Sequence, residues 1–97
     1  MPAYLIARIE VTDPEDYAAY ASQTAALAER FGGRFLVKGG AATRLEGEDA
    51  GTPQRHVVVE FPDRAAAEAW YASPEYRAIL PIALRASRRE LFIVEGA

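Results

Sequence analysis

Ninety-seven residues make one domain, and a chain of this length buries only about two-thirds of the surface its unfolded form exposes. With 51% hydrophobic and 26% charged residues the composition is globular, not disordered. A formal net charge of −3 argues against a nucleic-acid binder, and the absence of cysteine excludes disulfides, thiolate metal sites and a cysteine nucleophile. No secretory leader and no apolar run near the ~20 residues of a membrane span is visible, so a cytoplasmic protein that does not enter membranes is expected.

Ala3 to Val11 alternates with period two and predicts a strand, with Leu5, Ala7, Ile9 and Val11 on one face and Tyr4, Ile6, Arg8 and Glu10 on the other. Asp13-Pro14-Glu15-Asp16 is a helix start: an N-cap acceptor, a proline at the first turn and acids at the positive dipole end. Tyr17, Tyr20, Thr24, Leu27 and Phe31 then recur at helical spacing and define a buried stripe, which Gly32-Gly33 ends. Arg34 to Lys38 predicts a second strand, interrupted by Gly39-Gly40 and resumed at Thr43 to Glu46 after a bend or bulge. Gly47 to Gln54 reads as a polar loop with a mobile tip at Glu48-Asp49-Ala50-Gly51, and Arg55 to Phe61 as a third strand.

Asp63 caps a short helix that ends on Trp70 and Tyr71, and Ser73-Pro74 starts another with Tyr76 in its first turn. Pro81 predicts a kink or restart there, with Ile82 to Ala86 as a further turn. Arg85, Arg88 and Arg89 read as cations complementing a helix C-terminus, with a phosphate site as the other reading. Arg89 to Val94 is the last strand. The order β-α-β-β-α-β over residues 1–97 is the ferredoxin-like α+β arrangement: one four-stranded antiparallel sheet with the helices on one face.

The helices leave the other sheet face bare. Alternation assigns it Ile6, Arg8 and Glu10, Leu36 and Lys38, His56, Val58 and Glu60, and Glu90, Phe92 and Val94. This mixture suits a symmetric partner, so a homodimer through the sheet is expected; a simple solvated sheet is the other reading.

D-P-E-D-Y-A-A-Y on the first helix, F-G-G-R-F-L-V-K-G-G around the second strand, L-E-G at Leu45 to Gly47, V-V-E-F-P-D at Val58 to Asp63, A-W-Y-A-S-P-E-Y at Ala69 to Tyr76 and the closing V-E-G together resemble the DUF1330 family. That is a family of small bacterial proteins of undefined function in the dimeric α+β barrel group. The resemblance implies a homodimer whose two sheets close a barrel, with a cleft between sheet and helices in each subunit. In related barrel families such clefts bind small aromatic or polyketide-like molecules, and those relatives include cofactor-free monooxygenases, muconolactone isomerases and haem-degrading enzymes. None of their catalytic residues falls on a matching motif here.

Candidate ligand-binding residues are Tyr17, Tyr20, Trp70 and Tyr76, shaping the cleft, with Arg34, Glu46 and Arg85 orienting polar groups. The same arginines and carboxylate could instead form a structural salt bridge, and the tyrosines could be plain core. His56, the single histidine, lacks a second ligand for a metal and a neighbouring nucleophile. Ser73 reads as a helix cap. No metal and no cofactor are expected. Two functions stay open: an enzyme or small-molecule binder using the cleft, of isomerase or monooxygenase type and cofactor-free, or a non-catalytic structural or regulatory dimer. A cavity of several hundred Å3 lined by the aromatics would favour the first and close packing the second.

Overall fold

The computed structural model describes residues 1–48 and 54–97. Strand β1 (Ala3–Val11) leads to α1 (Pro14–Glu29), β2 (Arg34–Lys38) and β3 (Arg55–Phe61); α2 (Arg64–Ala72) and α3 (Pro74–Ala86) follow, and β4 (Ser87–Glu95) closes the chain. The strands stand in the order β2-β3-β1-β4, with antiparallel neighbours throughout. This is the expected ferredoxin-like sheet, with the second helical segment split in two. The expected loop tip lies, apart from Glu48, outside the described residues. No helix among the described residues is long and apolar enough to cross a membrane.

Local chemistry fixes the helix ends. The Asp13 carboxylate accepts the Asp16 N–H at 3.1 Å, and Asp63 accepts the Ala66 N–H at 2.7 Å. Ser73 serves two helices at once. Its Oγ donates to the Trp70 carbonyl at 2.8 Å, closing α2, and accepts the Tyr76 N–H at 3.2 Å, opening α3. Gly32, at φ +84°, turns the chain out of α1; a Cβ there would sit 2.8 Å from Pro62 Cγ.

Helix α3 is one continuous helix through Pro81, so the chain does not restart there. Pro81 and Arg77 both lie on the exposed side, where the carbonyl that loses its N–H partner can be hydrated.

In β1, β3 and β4 the odd-numbered residues face the helices and the even-numbered ones the open side. Ala3, Leu5, Ala7 and Ile9 are buried, as are Val59 and Phe61, and these pack with Tyr17, Tyr20, Leu27, Trp70, Tyr76 and Ile79 as one core. Strand β2 breaks this rule. Phe35 pairs with Val59 but Val37 pairs with Val58, so Leu36 is a bulge residue. Past it the alternation reverses: Val37 takes the open face, and Lys38, expected there, turns to the helix side. The bulge thus lies inside β2 before the glycine pair, and residues 43–46 are not strand.

On the open face the register aligns Val37, Val58, Ile6 and Phe92 in a single row across all four strands. The next row is Arg34, Glu60, Tyr4 and Val94, and on the other side lie His56, Arg8 and Glu90. An apolar stripe therefore runs between two more polar rows, with Phe92 60% exposed in the single chain.

Candidate functional site

Ile9 in the centre of the sheet has Arg55 of β3 as its in-register neighbour on one side and Arg89 of β4 on the other. Both arginines occupy odd positions and so project to the helix side, at the end of an otherwise apolar surface. Tyr17 and Tyr20, one turn apart on α1, lie over them. Together with Trp70 and Lys38 these residues surround a cavity of about 50 Å3 whose floor is Leu5, Ala7 and Ile9. That volume holds one or two waters. It falls short of the several hundred Å3 that an open ligand pocket would supply.

Behind the cavity three side chains form a hydrogen-bonded triangle. Arg89 donates from Nη1 to the Tyr20 hydroxyl at 3.0 Å and from Nη2 to the Tyr76 hydroxyl at 2.9 Å, and the two hydroxyls lie 2.8 Å apart. Burial pushes the Tyr76 hydroxyl above the usual phenol range; the Tyr20 oxygen acts in the same sense, against the pull of Arg89. Burial also raises Tyr17. For Arg89, burial works against the charge, but the two tyrosine oxygens outweigh it and the net shift is upward. Arg89 is therefore a fixed cation.

The proton count has a consequence. Two neutral phenols own two O–H hydrogens, while the single contact between them uses one, and Arg89 supplies donors of its own. One hydroxyl hydrogen remains for another acceptor. Tyr20 lines the cavity and Tyr76 does not. If Tyr76 donates to Tyr20, the spare hydrogen is at the cavity wall.

Of the seven residues expected at the site, Tyr17, Tyr20 and Trp70 line the cavity. Tyr76 is fully buried behind Tyr20 and joins the site through its hydroxyl, with its ring 4.3 Å from that of Trp70. The other three lie elsewhere. Arg34 is on the open face, bonded to Glu60 at 3.0 Å; Glu60 also accepts from Tyr4. Glu46 is exposed in the segment that borders Arg8 and His56, beside the open face. Arg85 grips Asp16 through Nε at 2.7 Å and Nη2 at 3.3 Å, on the surface of α1 and α3.

The Arg85 hydrogen bond holds the Asp16 carboxyl below the usual carboxylate range. A depressed folded value means that the contribution is complete above the unfolded pKa of ~3.9 and is lost as pH falls through the folded one. Arg85→Ala should return the Asp16 titration, followed by carboxyl 13C shifts, to the ordinary range. An unmoved titration would mean that the pair is not populated in solution.

Arg55, Arg89 and Lys38 are the site residues that the sequence reading missed. Arg88 and Arg89 belong to β4, leaving only Arg85 in the last turn of α3. The alternation that puts Val58 and Phe92 on the open face already sends Arg55 and Arg89 to the other side. Lys38 carried no such signal, because the bulge reverses its phase.

Residues 2–97 match the model of a family described as a domain of unknown function, DUF1330. The chain belongs to the DUF1330 family. No curated protein matches it. Among solved structures, this DUF1330 chain is similar to RPA0582 from Rhodopseudomonas palustris, a protein of unknown function, at 22% identity and a TM-score of 0.79, covering 99% of this chain and 82% of that one. It is similar to SnoaB from Streptomyces nogalater, a cofactor-independent oxygenase, at 16% identity and a TM-score of 0.68, covering 99% and 93% of the two chains. A dimeric ferredoxin-like protein of unknown function from Jannaschia sp. CCS1 matches at 14% identity and a TM-score of 0.65, covering 96% and 99%. At these identities the likeness establishes the fold.

Proposed function

We propose that this DUF1330 protein is a homodimer whose helix–sheet cleft takes a small, partly aromatic metabolite and holds an ionisable hydroxyl or enol oxygen of it against Tyr20 and Arg89. The observation that carries the reading is the Arg89–Tyr20–Tyr76 triangle at the cavity, whose unspent hydroxyl hydrogen faces the cavity when Tyr76 donates to Tyr20. A fixed cation and a phenol donor together stabilise negative charge on a ligand oxygen in a place with little water. The step this favours is enolisation. A C–H proton passes to water, its electron pair moves onto the carbonyl oxygen facing Tyr20, and a proton returned at another carbon gives an isomer. Among the described residues no carboxylate or imidazole lines the cavity, so the reading calls for a substrate that is itself acidic, as a phenol or a 1,3-dicarbonyl is. With dioxygen as co-reactant the same bound enolate supports cofactor-free oxygenation, a CH2 becoming C=O with release of water. The oxygenase activity of SnoaB, on the same fold, supports that direction by analogy alone.

The dimer rests on the apolar row Val37–Val58–Ile6–Phe92 and on the dimeric Jannaschia relative. The small volume of the cavity favours the second reading, a dimer with a filled core and no ligand. A ligand larger than this cavity requires some of the lining side chains to move.

p-Nitrophenol decides between the two, because its phenolate is coloured. Bound at the triangle it should ionise at lower pH than in buffer, raising the phenolate absorbance, and Tyr20→Phe should remove most of the shift. If neither p-nitrophenol nor a panel of phenols and lactones changes absorbance or melting temperature, the filled-core dimer replaces the binding site.

A further inference from the structure

The triangle accounts for Arg89, whose two terminal nitrogens are engaged by the tyrosines. It leaves Arg55 and Lys38 unexplained. Both line the cavity, and with Arg89 they are its charged residues among the described ones; all three are cations. In a chain of net charge −3 this is a local reversal of sign. Among the described residues no carboxylate pairs with any of the three. Lys38 has the Phe35 ring as its partner, with Nζ 5.2 Å from the centroid.

The backbone makes a place for Arg55. Gly39, at φ +72°, ends β2 and donates its N–H to the His56 carbonyl at 2.8 Å. A Cβ on Gly39 would lie 2.9 Å from Arg55 Cζ and 3.0 Å from its Nε. The guanidinium therefore rests against bare backbone that any other residue would occupy. Arg55 Nε is buried there and has no partner. A buried cationic donor left unpaired is costly, and an anion supplied from outside removes that cost. The bulge at Leu36 adds Lys38 to the same rim.

We infer that the mouth of the cleft is an anion site, in which Arg55, seated over Gly39, and Lys38 receive the carboxylate of a ligand whose apolar body lies along the cavity floor. The inference rests on the cleft reading above and names its ligand class: a flat, apolar acid. A planar carboxylate matches the two-pronged guanidinium, and Lys38 adds a point charge. Inorganic phosphate meets the same cations but has no body to lay on Leu5, Ala7 and Ile9.

Calorimetric titration of the full chain with benzoate, with its neutral isostere benzamide and with inorganic phosphate tests this. Benzoate should bind at least tenfold tighter than benzamide, and tighter than phosphate. Arg55→Gln and Lys38→Gln should each reduce benzoate affinity severalfold and leave benzamide unchanged. If Arg55→Gln does not fold, Lys38→Gln, at an exposed position, carries the comparison. Equal binding of benzoate and benzamide overturns the anion site and leaves the cleft standing. Phosphate as tight as benzoate overturns the ligand class. If no probe binds, the cleft reading itself falls and takes this inference with it.

Discussion

Trp70→Ala should lower the melting temperature by more than about 12 °C, since a buried tryptophan truncation costs about 3–5 kcal/mol and each kcal/mol moves a domain of this size by about 4–8 °C. Trp70 is only 1% exposed. Its ring lies 4.3 Å from that of Tyr76, 5.7 Å from Phe61 and 6.1 Å from Tyr71, so one truncation leaves three aromatic neighbours facing a void. The same substitution loosens the junction that carries Tyr76 to Arg89. Total stability for small domains is about 5–15 kcal/mol, so the loss would be a large fraction of the whole. Circular dichroism melting measures it. A fall of less than about 4 °C would mean that the aromatic junction is not the centre of the core.

Val58→Asp should convert the proposed dimer to a monomer. Val58 is second in the apolar row, flanked in register by Val37 and Ile6, so a carboxylate there would meet no partner in a face-to-face contact. A two-fold axis brings the substitution in twice. At about 2 kcal/mol for each unsatisfied buried group, the dimer weakens by about a thousandfold. Sedimentation equilibrium at micromolar concentration reads this directly. Phe92→Ser is the companion variant, because Phe92 is exposed in the single chain and its loss should spare the fold. A wild-type protein that keeps the mass of one chain at high micromolar concentration would refute the assembly.

The elements were legible because each had its own local signal. Asp13 and Asp63 cap where their spacing predicts, and the alternation of β1 and β3 sets their faces. What escaped the sequence was long-range. Nothing local says that Leu36 is extruded, because a bulge is a property of the pairing between β2 and β3; misreading it put Lys38 on the wrong face. Intrinsic preference predicts a kink or restart at Pro81, whereas Ile79, Leu80 and Ala83 are buried on the other side of a helix that continues through it. The site was half legible. Aromatics at helical spacing marked Tyr17, Tyr20, Trp70 and Tyr76. The polar partners are expected at Arg34, Glu46 and Arg85, each beside a buried-looking segment, whereas antiparallel pairing brings Arg89 to the site from the far end of the chain.

The alternation of β1, β3 and β4 gives the protein two addresses on one backbone. A point substitution at an odd position of these strands edits what the cleft presents, and one at an even position edits what the open face presents. Natural variation can therefore retune either surface by single-letter changes while the other keeps its chemistry. Strand β2 is the exception: beyond Leu36 the two addresses are exchanged, so an inserted or deleted residue that shifted this short segment against β3 would swap the lysine for a valine at the cleft in one mutational step.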